Sequence, residues 1–275
     1  MQVAIDFGLT NIDVVAMNDD GSMQYATVPS RHLVNPLEVA RALAALDSHP
    51  ADFGRIAVTG GQHRQLPDHI DGVPIVKVGE LDAVGHGGLT LAQRSMPELR
   101  EALIVSAGSG TAMIATRSGT ARHVTGSAVG GGTLLGLCRL LIGTGDPRAI
   151  DAFALAGDSN KVDLTLIEAT GGAIGKLPSD ANAVNFGRIP SLESLELTPE
   201  DLAAGVANLV GQVIAVIAIN AAGAERLRQI VVVGHTVDLS CMRRVLTTVA
   251  GYYGAAIMVP ELPGFATAMG ALLLG

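Results

Sequence analysis

The chain has 275 residues, of which 48% are hydrophobic and 16% are charged, and its formal net charge is −8 at pH 7. This length favours two domains of ordinary size over one large one, and the composition excludes a disordered chain. The 18 lysines and arginines are scattered along the chain, and only 3% of the residues are aromatic. We therefore expect neither nucleic acid nor a membrane surface as a partner.

The first hundred residues predict elements in the order strand, strand, strand, helix, strand, strand, helix. Short apolar or alternating runs between turn residues predict the strands, at 3–6, 13–17, 23–28, 55–59 and 75–78. Helical spacing predicts one helix at 36–46, with Asn35 as its cap, and a second helix that begins near Gly79. A polar stretch near Pro97 ends this first unit.

The pattern then restarts. Three strands are expected at 102–106, 112–117 and 121–125, followed by a helix at 133–142. Helical segments are expected over most of the chain from there to Ala224. The remaining elements are predicted as a strand at 230–233, a helix at 239–250, a strand at 256–259 and a closing helix from Phe265.

One predicted helix, at 202–224, is apolar on nearly all sides. A membrane span needs about 20 apolar residues, so the length alone allows insertion. The helix follows Thr198, Pro199, Glu200 and Asp201, which form a cap, a first helical position and an acidic first turn. These are the signals of a soluble helix, so we expect it in a core or a subunit interface.

Two segments a hundred residues apart resemble each other. Residues 4–10 and 104–111 each consist of a buried strand, a tight turn of Gly and Thr, and the start of a second strand. Such a repeat suggests two lobes derived from one unit. Two unrelated hairpins explain this pattern equally well, since glycine-rich hairpin turns are common.

The two hairpins are candidate phosphate-binding sites, because the sequence has neither a GxxxxGK[ST] loop nor a GxGxxG turn leading into a helix at its N-terminus. Glycine lets the backbone approach phosphate oxygens with its N–H groups. Asp6, at the end of the first strand, is a candidate ligand of Mg²⁺, directly or through water. The other candidates in the hairpins are Gly8, Thr10, Gly108, Ser109, Gly110 and Thr111.

Three consecutive glycines, Gly130, Gly131 and Gly132, precede the helix at 133–142. They predict a backbone anion cradle at a helix N-terminus, with a flexible loop as the alternative. Gly234 ends the buried strand at 230–233, and a strand that ends in glycine before a helix often passes close to a nucleotide. Taken alone, this last signal is weak.

These motifs make the chain similar to the type II pantothenate kinases, within the acetate and sugar kinase/heat-shock 70/actin superfamily. The first and second phosphate motifs match DFGLT at 6–10 and VSAGSGT at 105–111, and VGELDA at 78–83 matches the segment of the catalytic carboxylate. The triple-glycine segment at 124–137 is the most diagnostic. Further matches follow in order at 157–163, 183–187 and 264–272, so the resemblance spans essentially the whole chain.

The resemblance implies an α/β, two-lobed, actin-like (ribonuclease H-like) ATPase fold, with a mixed sheet in each lobe and the ATP cleft between them. Residues 1–97 would form the N-terminal lobe, with helix 264–275 packing back on it, and 98–263 the C-terminal lobe with a dimerisation helix. It also implies ATP and Mg²⁺, pantothenate as the acceptor, 4′-phosphopantothenate as the product, and a homodimer. Independently of the resemblance, the two unpaired cysteines and the lack of a basic start followed by an apolar run predict a cytoplasmic protein.

The resemblance assigns Glu80 as the base that takes the proton of the acceptor hydroxyl. Since no lysine lies in a phosphate motif, the positive charge at the transfer site is expected from Mg²⁺, Arg122 and His123. The chain departs from the family pattern at Leu9, where a glycine is usual, at Asp13, where a lysine is common, and at His123, where an arginine is common. A simpler role for Glu80 is a favourable interaction of its carboxylate with the dipole of the helix that begins there.

Three other functions stay open on the sequence alone. A relative that phosphorylates a different small alcohol is one, since Asp13 and His123 change the charge near the acceptor. A catalytically silent sensor of ATP or acyl-CoA is another. An activator ATPase of a radical enzyme is the third, weakened because Cys138 and Cys241, the two cysteines, have no paired spacing for an iron–sulfur cluster.

Overall fold

Two mixed β-sheets, one in each half of the chain, organise the computed structural model, which describes residues 1–194 and 196–275. The elements of the first half are β1 (Gln2–Phe7), β2 (Asn11–Met17), β3 (Met23–Pro29), α1 (Pro36–Ala44), β4 (Ile56–Thr59), β5 (His69–Ile70), β6 (Val73–Lys77) and α2 (Glu80–Gln93). The elements of the second half are β7 (Glu101–Ala107), β8 (Thr111–Arg117), β9 (Thr120–Ser127), α3 (Gly131–Ile142), α4 (Pro147–Ala156), β10 (Leu164–Thr165), α5 (Leu166–Thr170), β11 (Asn182–Val184), α6 (Pro199–Glu225), β12 (Gln229–Val233), α7 (Ser240–Tyr253), β13 (Ala256–Met258) and α8 (Ala266–Leu274).

The two sheets share one topology. The strand order is β3-β2-β1-β4-β6-β5 in the first and β9-β8-β7-β12-β13 in the second. In each sheet the first strand lies in the middle, antiparallel to the second strand and parallel to the fourth. This common order favours an internal repeat over two unrelated hairpins, and it confirms the predicted α/β architecture with a mixed sheet in each half.

The helices α2 and α8 occupy corresponding places in the two halves, and they pack closely against each other. Their contact is made through glycines: a Cβ at Gly87 would lie 1.7 Å from the carbonyl oxygen of Ala266, and one at Gly270 would lie 1.8 Å from that of Ala83. The helix α8 also packs against β1 and β4 of the first sheet. One apolar core, which includes Ala4 and Ile104, therefore continues from one sheet to the other.

Replacing Gly270 by Ala is expected to lower the free energy of unfolding by about 1–3 kcal/mol, because the added methyl group overpacks backbone that cannot move aside. Denaturant unfolding measures this change. The control is Gly223→Ala on α6, where a Cβ would meet no atom within 4 Å. Equal stability of the two variants would show that α2 and α8 can separate without cost.

The longest helix, α6, is long and apolar enough to cross a membrane by length and composition. In the structure it is a core helix of the second half, packed against α3, α4 and α7, and 56% of its most apolar stretch is buried. The expected start is confirmed: the Thr198 side chain accepts a hydrogen bond from the Asp201 N–H at 3.2 Å, and Pro199 is the first helical residue.

The segment between α4 and α6 differs from the sequence prediction of a mostly helical region. It contains the short helix α5 and a two-stranded sheet of β10 and β11. The buried carboxylate of Asp163 organises this segment by accepting hydrogen bonds from the Phe186 N–H and from the side chains of Asn182 and Asn208. Because these partners are remote in sequence, helical spacing did not predict the sheet.

Candidate active site

A cavity of about 480 Å³ lies between the two sheets, where the β1–β2 and β7–β8 hairpins face each other. Its volume is within the usual range for small-molecule sites. All of the predicted site residues line this cavity except Gly130, Arg122 and His123. Those that line it are Asp6, Gly8, Thr10, Glu80, Gly108, Ser109, Gly110, Thr111, Gly131, Gly132 and Gly234.

The hairpin tips meet across the cavity. The Thr10 and Ser109 hydroxyl oxygens lie 2.8 Å apart, within hydrogen-bond distance. The tight turn of the first hairpin needs glycine, since a Cβ at Gly8 would lie 2.7 Å from the carbonyl oxygen of Asn11. The hydroxyl of Thr111 donates to the Val129 carbonyl at 2.8 Å, so this side chain connects the second hairpin to the segment before α3.

The triple glycine has a different role from the predicted anion cradle. The N–H of Gly131 donates to the Gly108 carbonyl at 2.8 Å, and the N–H of Gly132 donates to the Ser109 carbonyl at 2.9 Å. A Cβ at Gly130 would lie 2.8 Å from backbone atoms of Gly110. These glycines therefore let α3 begin directly on the second hairpin, and two of the N–H groups expected to bind anions are already used.

Three carboxylates belong to the cavity wall: Asp6, Asp13 and Glu80. Asp6 and Asp13 are directly paired in the β1–β2 register, so their side chains lie on the same face of the sheet. Burial, and after it the charges of Asp13 and Glu80, raise the pKa of Asp6 to about 8, although the charge of His235 and a hydrogen bond with Thr267 act in the opposite direction. Among the described residues, no three carboxylates, histidines or cysteines lie close enough to form a metal site by themselves. A divalent cation would still offset this excess of negative charge, and Mg²⁺ needs only one or two carboxylates beside phosphate oxygens and water, so Asp6 fits as its ligand.

Glu80 is the first residue of α2 and is exposed to the cavity. The preceding residue, Gly79, provides no side-chain cap for this helix. A carboxylate in this position interacts favourably with the helix dipole, as the simpler interpretation requires. Since it also lines the cavity beside Asp6, its position is compatible with proton transfer from a bound acceptor.

His235 lines the cavity next to Gly234, but it was not among the predicted site residues. Its Nε2 lies 2.9 Å from Asp13 Oδ1 and its Nδ1 lies 2.7 Å from Asp238 Oδ2. Burial opposes the charged ring, but the hydrogen bonds to the two carboxylates outweigh it and raise the pKa of His235 to about 10. One signal was available: an aspartate inside the apolar strand β2 needs a partner if it is buried.

Arg122 and His123 lie on β9 and do not line the cavity, contrary to the expectation that they supply its positive charge. The guanidinium of Arg122 donates to the Glu225 carboxylate at 2.5 Å, at the C-terminal end of α6. The side chain of His123 is exposed. A β-bulge at Val124 interrupts the pairing of β8 with β9 here, because Thr125 and His123 pair with consecutive residues of β8.

The Fumble family model matches residues 10–274. The type II pantothenate kinase of Staphylococcus aureus (strain MRSA252) is 26% identical over 276 residues, which are 100% of both chains. Two solved structures share the fold. The activator of the 2-hydroxyisocaproyl-CoA dehydratase from Clostridium difficile, with bound ADPNP, has a TM-score of 0.67, 17% identity, and coverage of 99% of this chain and 93% of that chain. A ROK family glucokinase from Streptomyces griseus, in complex with glucose and AMPPNP, has a TM-score of 0.56, 14% identity, and coverage of 100% and 98%.

Proposed function

The chain belongs to the Fumble family of type II pantothenate kinases, and from this premise we propose that it transfers the γ-phosphoryl group of ATP to the hydroxyl of pantothenate, giving 4′-phosphopantothenate. The observation that carries this proposal is the convergence of Asp6, Glu80 and both glycine hairpins on one cavity between the two halves of the chain. Two proteins of the same fold were solved with ADPNP or AMPPNP, which supports ATP as the phosphoryl donor.

In the proposed reaction, Glu80 accepts the proton of the acceptor hydroxyl as that oxygen forms its bond to the γ-phosphorus of ATP. The bond from this phosphorus to the bridging oxygen breaks, and ADP leaves. Asp6 would hold Mg²⁺, directly or through water, and the metal would supply neutralisation of the phosphate charge. The hairpins would place their backbone against the phosphates, as Gly8 and Gly108 leave room for close approach.

The acceptor is tested by ATP consumption with a panel of pantothenate, pantetheine, amino sugars and small polyols. Turnover with pantothenate far above the other compounds supports the proposal. A kinase of a different small alcohol is the second candidate, because Asp13 adds a carboxylate to the cavity wall where relatives commonly have a lysine. Preference for another alcohol would establish that candidate, and nucleotide binding without turnover would identify a silent sensor.

We further propose a cytoplasmic homodimer that uses the outer face of α6. The side chains of Val213, Val216 and Ile217 are only partly buried in the single chain, and Leu140 and Leu141 of the adjacent helix α3 are exposed. Apolar side chains that the single chain leaves partly or fully exposed are of the kind that subunit interfaces cover.

Val213→Asp is expected to dissociate the dimer, because a charge buried in an interface without a partner costs several kcal/mol. Sedimentation velocity of the two proteins measures the change in mass. The control is Leu37→Asp, which changes a leucine on α1 that is 79% exposed. A Val213→Asp protein that keeps the mass of the wild type would rule out α6 as the dimer contact.

A further inference from the structure

The bond between His235 and Asp13 joins the two halves of the molecule at the wall of the cavity. His235 follows β12, in the second half, and Asp13 lies on β2, in the first, 222 positions earlier in the chain. Asp13 is 4% exposed and also accepts a hydrogen bond from the Thr27 hydroxyl at 2.6 Å. A carboxylate buried to this degree needs a compensating charge, and His235 provides one from the opposite half.

The imidazole of His235 has no nitrogen left for proton transfer. Each ring nitrogen faces a carboxylate oxygen, and carboxylates accept hydrogen bonds, so both nitrogens donate and the ring carries a positive charge. Among the described residues that line the cavity, His235 is the one basic side chain. His235 therefore contributes a fixed positive charge to a site whose other ionisable groups are the carboxylates of Asp6, Asp13 and Glu80.

The ring is held in place by close packing. A Cβ at Gly264 would lie 2.3 Å from the Cε1 of His235 and 2.4 Å from its Nδ1, so the backbone of this glycine lies directly against the ring. The Phe265 ring approaches edge-on, with centroids 6.0 Å apart and an interplanar angle of 74°. Glycine at position 264 is thus required by the contact with His235, since its φ is not in the left-handed region.

We propose that His235 is a positioning residue of the transfer site, which fastens the two lobes together and neutralises Asp13 so that the cavity accepts the phosphates of a nucleotide. The second part of this inference rests on the proposed function, since it assumes that ATP binds in the cavity. The first part, the fastening of the lobes, stands on the contacts of His235 alone.

The nucleotide part is tested by calorimetric titration of Mg-AMPPNP into His235→Gln and into the double variant Asp13→Asn/His235→Gln. An uncompensated carboxylate in the wall of the cavity is expected to weaken binding of the anionic nucleotide about 10- to 100-fold in the single variant. The double variant removes that charge and is expected to recover most of the affinity. Rescue of this kind also shows that the substitutions leave the protein folded.

The matched control is His86→Gln. His86 also uses both ring nitrogens and also joins the two halves, but its partners are the carbonyl oxygens of Asp82 and Gly119, and it does not line the cavity. Its affinity for Mg-AMPPNP is expected to equal that of the wild type. A His235→Gln protein with wild-type affinity, or a double variant no better than the single one, would overturn the neutralisation of Asp13.

The fastening of the lobes is tested without nucleotide. Melting temperatures of the wild type, Asp13→Asn, His235→Gln and the double variant form a cycle, and a physical contact predicts that the two losses are not additive. Additive losses would overturn the contact. If the wild type fails to bind Mg-AMPPNP, the proposed function and the nucleotide part of the inference both fail, whereas the cycle still decides whether His235 joins the lobes.

Discussion

Glu80→Gln is expected to lower kcat by about 10²–10⁴-fold, the usual effect of losing a general base. Glutamine keeps the size and the hydrogen-bonding capacity of the side chain, but it cannot accept the proton of the acceptor hydroxyl. Affinity for ATP is expected to remain near that of the wild type, because the hairpins that would bind the phosphates are unchanged. Steady-state kinetics and calorimetric titration of Mg-AMPPNP measure the two quantities separately.

The matched control is Asp82→Asn, which removes a carboxylate from the same first turn of α2. Asp82 is exposed and does not line the cavity, so its loss changes the interaction with the helix dipole without touching the site. We expect a kcat within a few-fold of the wild type. Glu80 is not the general base if Glu80→Gln keeps more than a tenth of the wild-type kcat, or if Asp82→Asn lowers kcat as much as Glu80→Gln does. Its role would then be limited to the interaction with the dipole of α2.

Asp6→Asn is expected to change activity and stability in opposite directions. A neutral amide is a poor ligand for Mg²⁺, and we expect magnesium affinity to fall by about 10- to 100-fold, the range seen when the surroundings of a metal are altered. The metal-free protein is expected to gain stability above the ordinary pKa of an aspartate, because the folded wild type must either keep Asp6 protonated or ionise it against burial and the charges of Asp13 and Glu80.

The sign of the pH dependence follows from the raised pKa. The Asp6 carboxyl has a pKa of about 8 in the folded protein, against an ordinary value of 3.8 for an aspartate. Between these values the folded state binds more protons than the unfolded state, so the stability of the wild type falls as the pH rises through this window. Asp6→Asn has no carboxyl group to titrate, so it does not lose stability in this way. The melting temperature of Asp6→Asn is therefore expected to exceed that of the wild type by an amount that grows from pH 5 to pH 9.

Magnesium titrations of kcat/KM and thermal unfolding at several pH values test both effects. The control is Asp71→Asn, at an exposed turn between β5 and β6 that lies outside the cavity. It should leave the magnesium dependence unchanged. If Asp6→Asn shows the magnesium dependence of the wild type, Asp6 is not a magnesium ligand. If the difference in melting temperature between the two proteins is the same at every pH, the raised pKa of Asp6 is contradicted.

Local patterns in the sequence were sufficient to predict most elements of the fold. Alternating and buried runs predicted the central strands of both sheets, and Asn35 and Thr198 predicted the starts of α1 and α6, where their side chains accept the expected hydrogen bonds. These features depend on backbone geometry and on neighbours within a few residues. The match to family motifs placed Asp6 and Glu80 in the site, and both line the cavity.

Partners that are remote in sequence were decided only by the tertiary structure. Asp13 was visible as a departure from the family, but its partner His235 is 222 positions away. Arg122 was expected near the transfer site, yet it pairs with Glu225, 103 positions away. The triple glycine has the pattern of a free anion site, but the N–H groups of Gly131 and Gly132 donate to carbonyl oxygens of the second hairpin.

The physical reason is common to these cases. A charged side chain or an N–H group is satisfied by whichever partner the fold brings within about 3 Å, and periodicity carries no information on that choice. Local patterns in the sequence therefore predicted most of the elements, the caps of α1 and α6 and the family motifs. Only the packing of the two halves decided which charges face the cavity and which groups are left for a ligand.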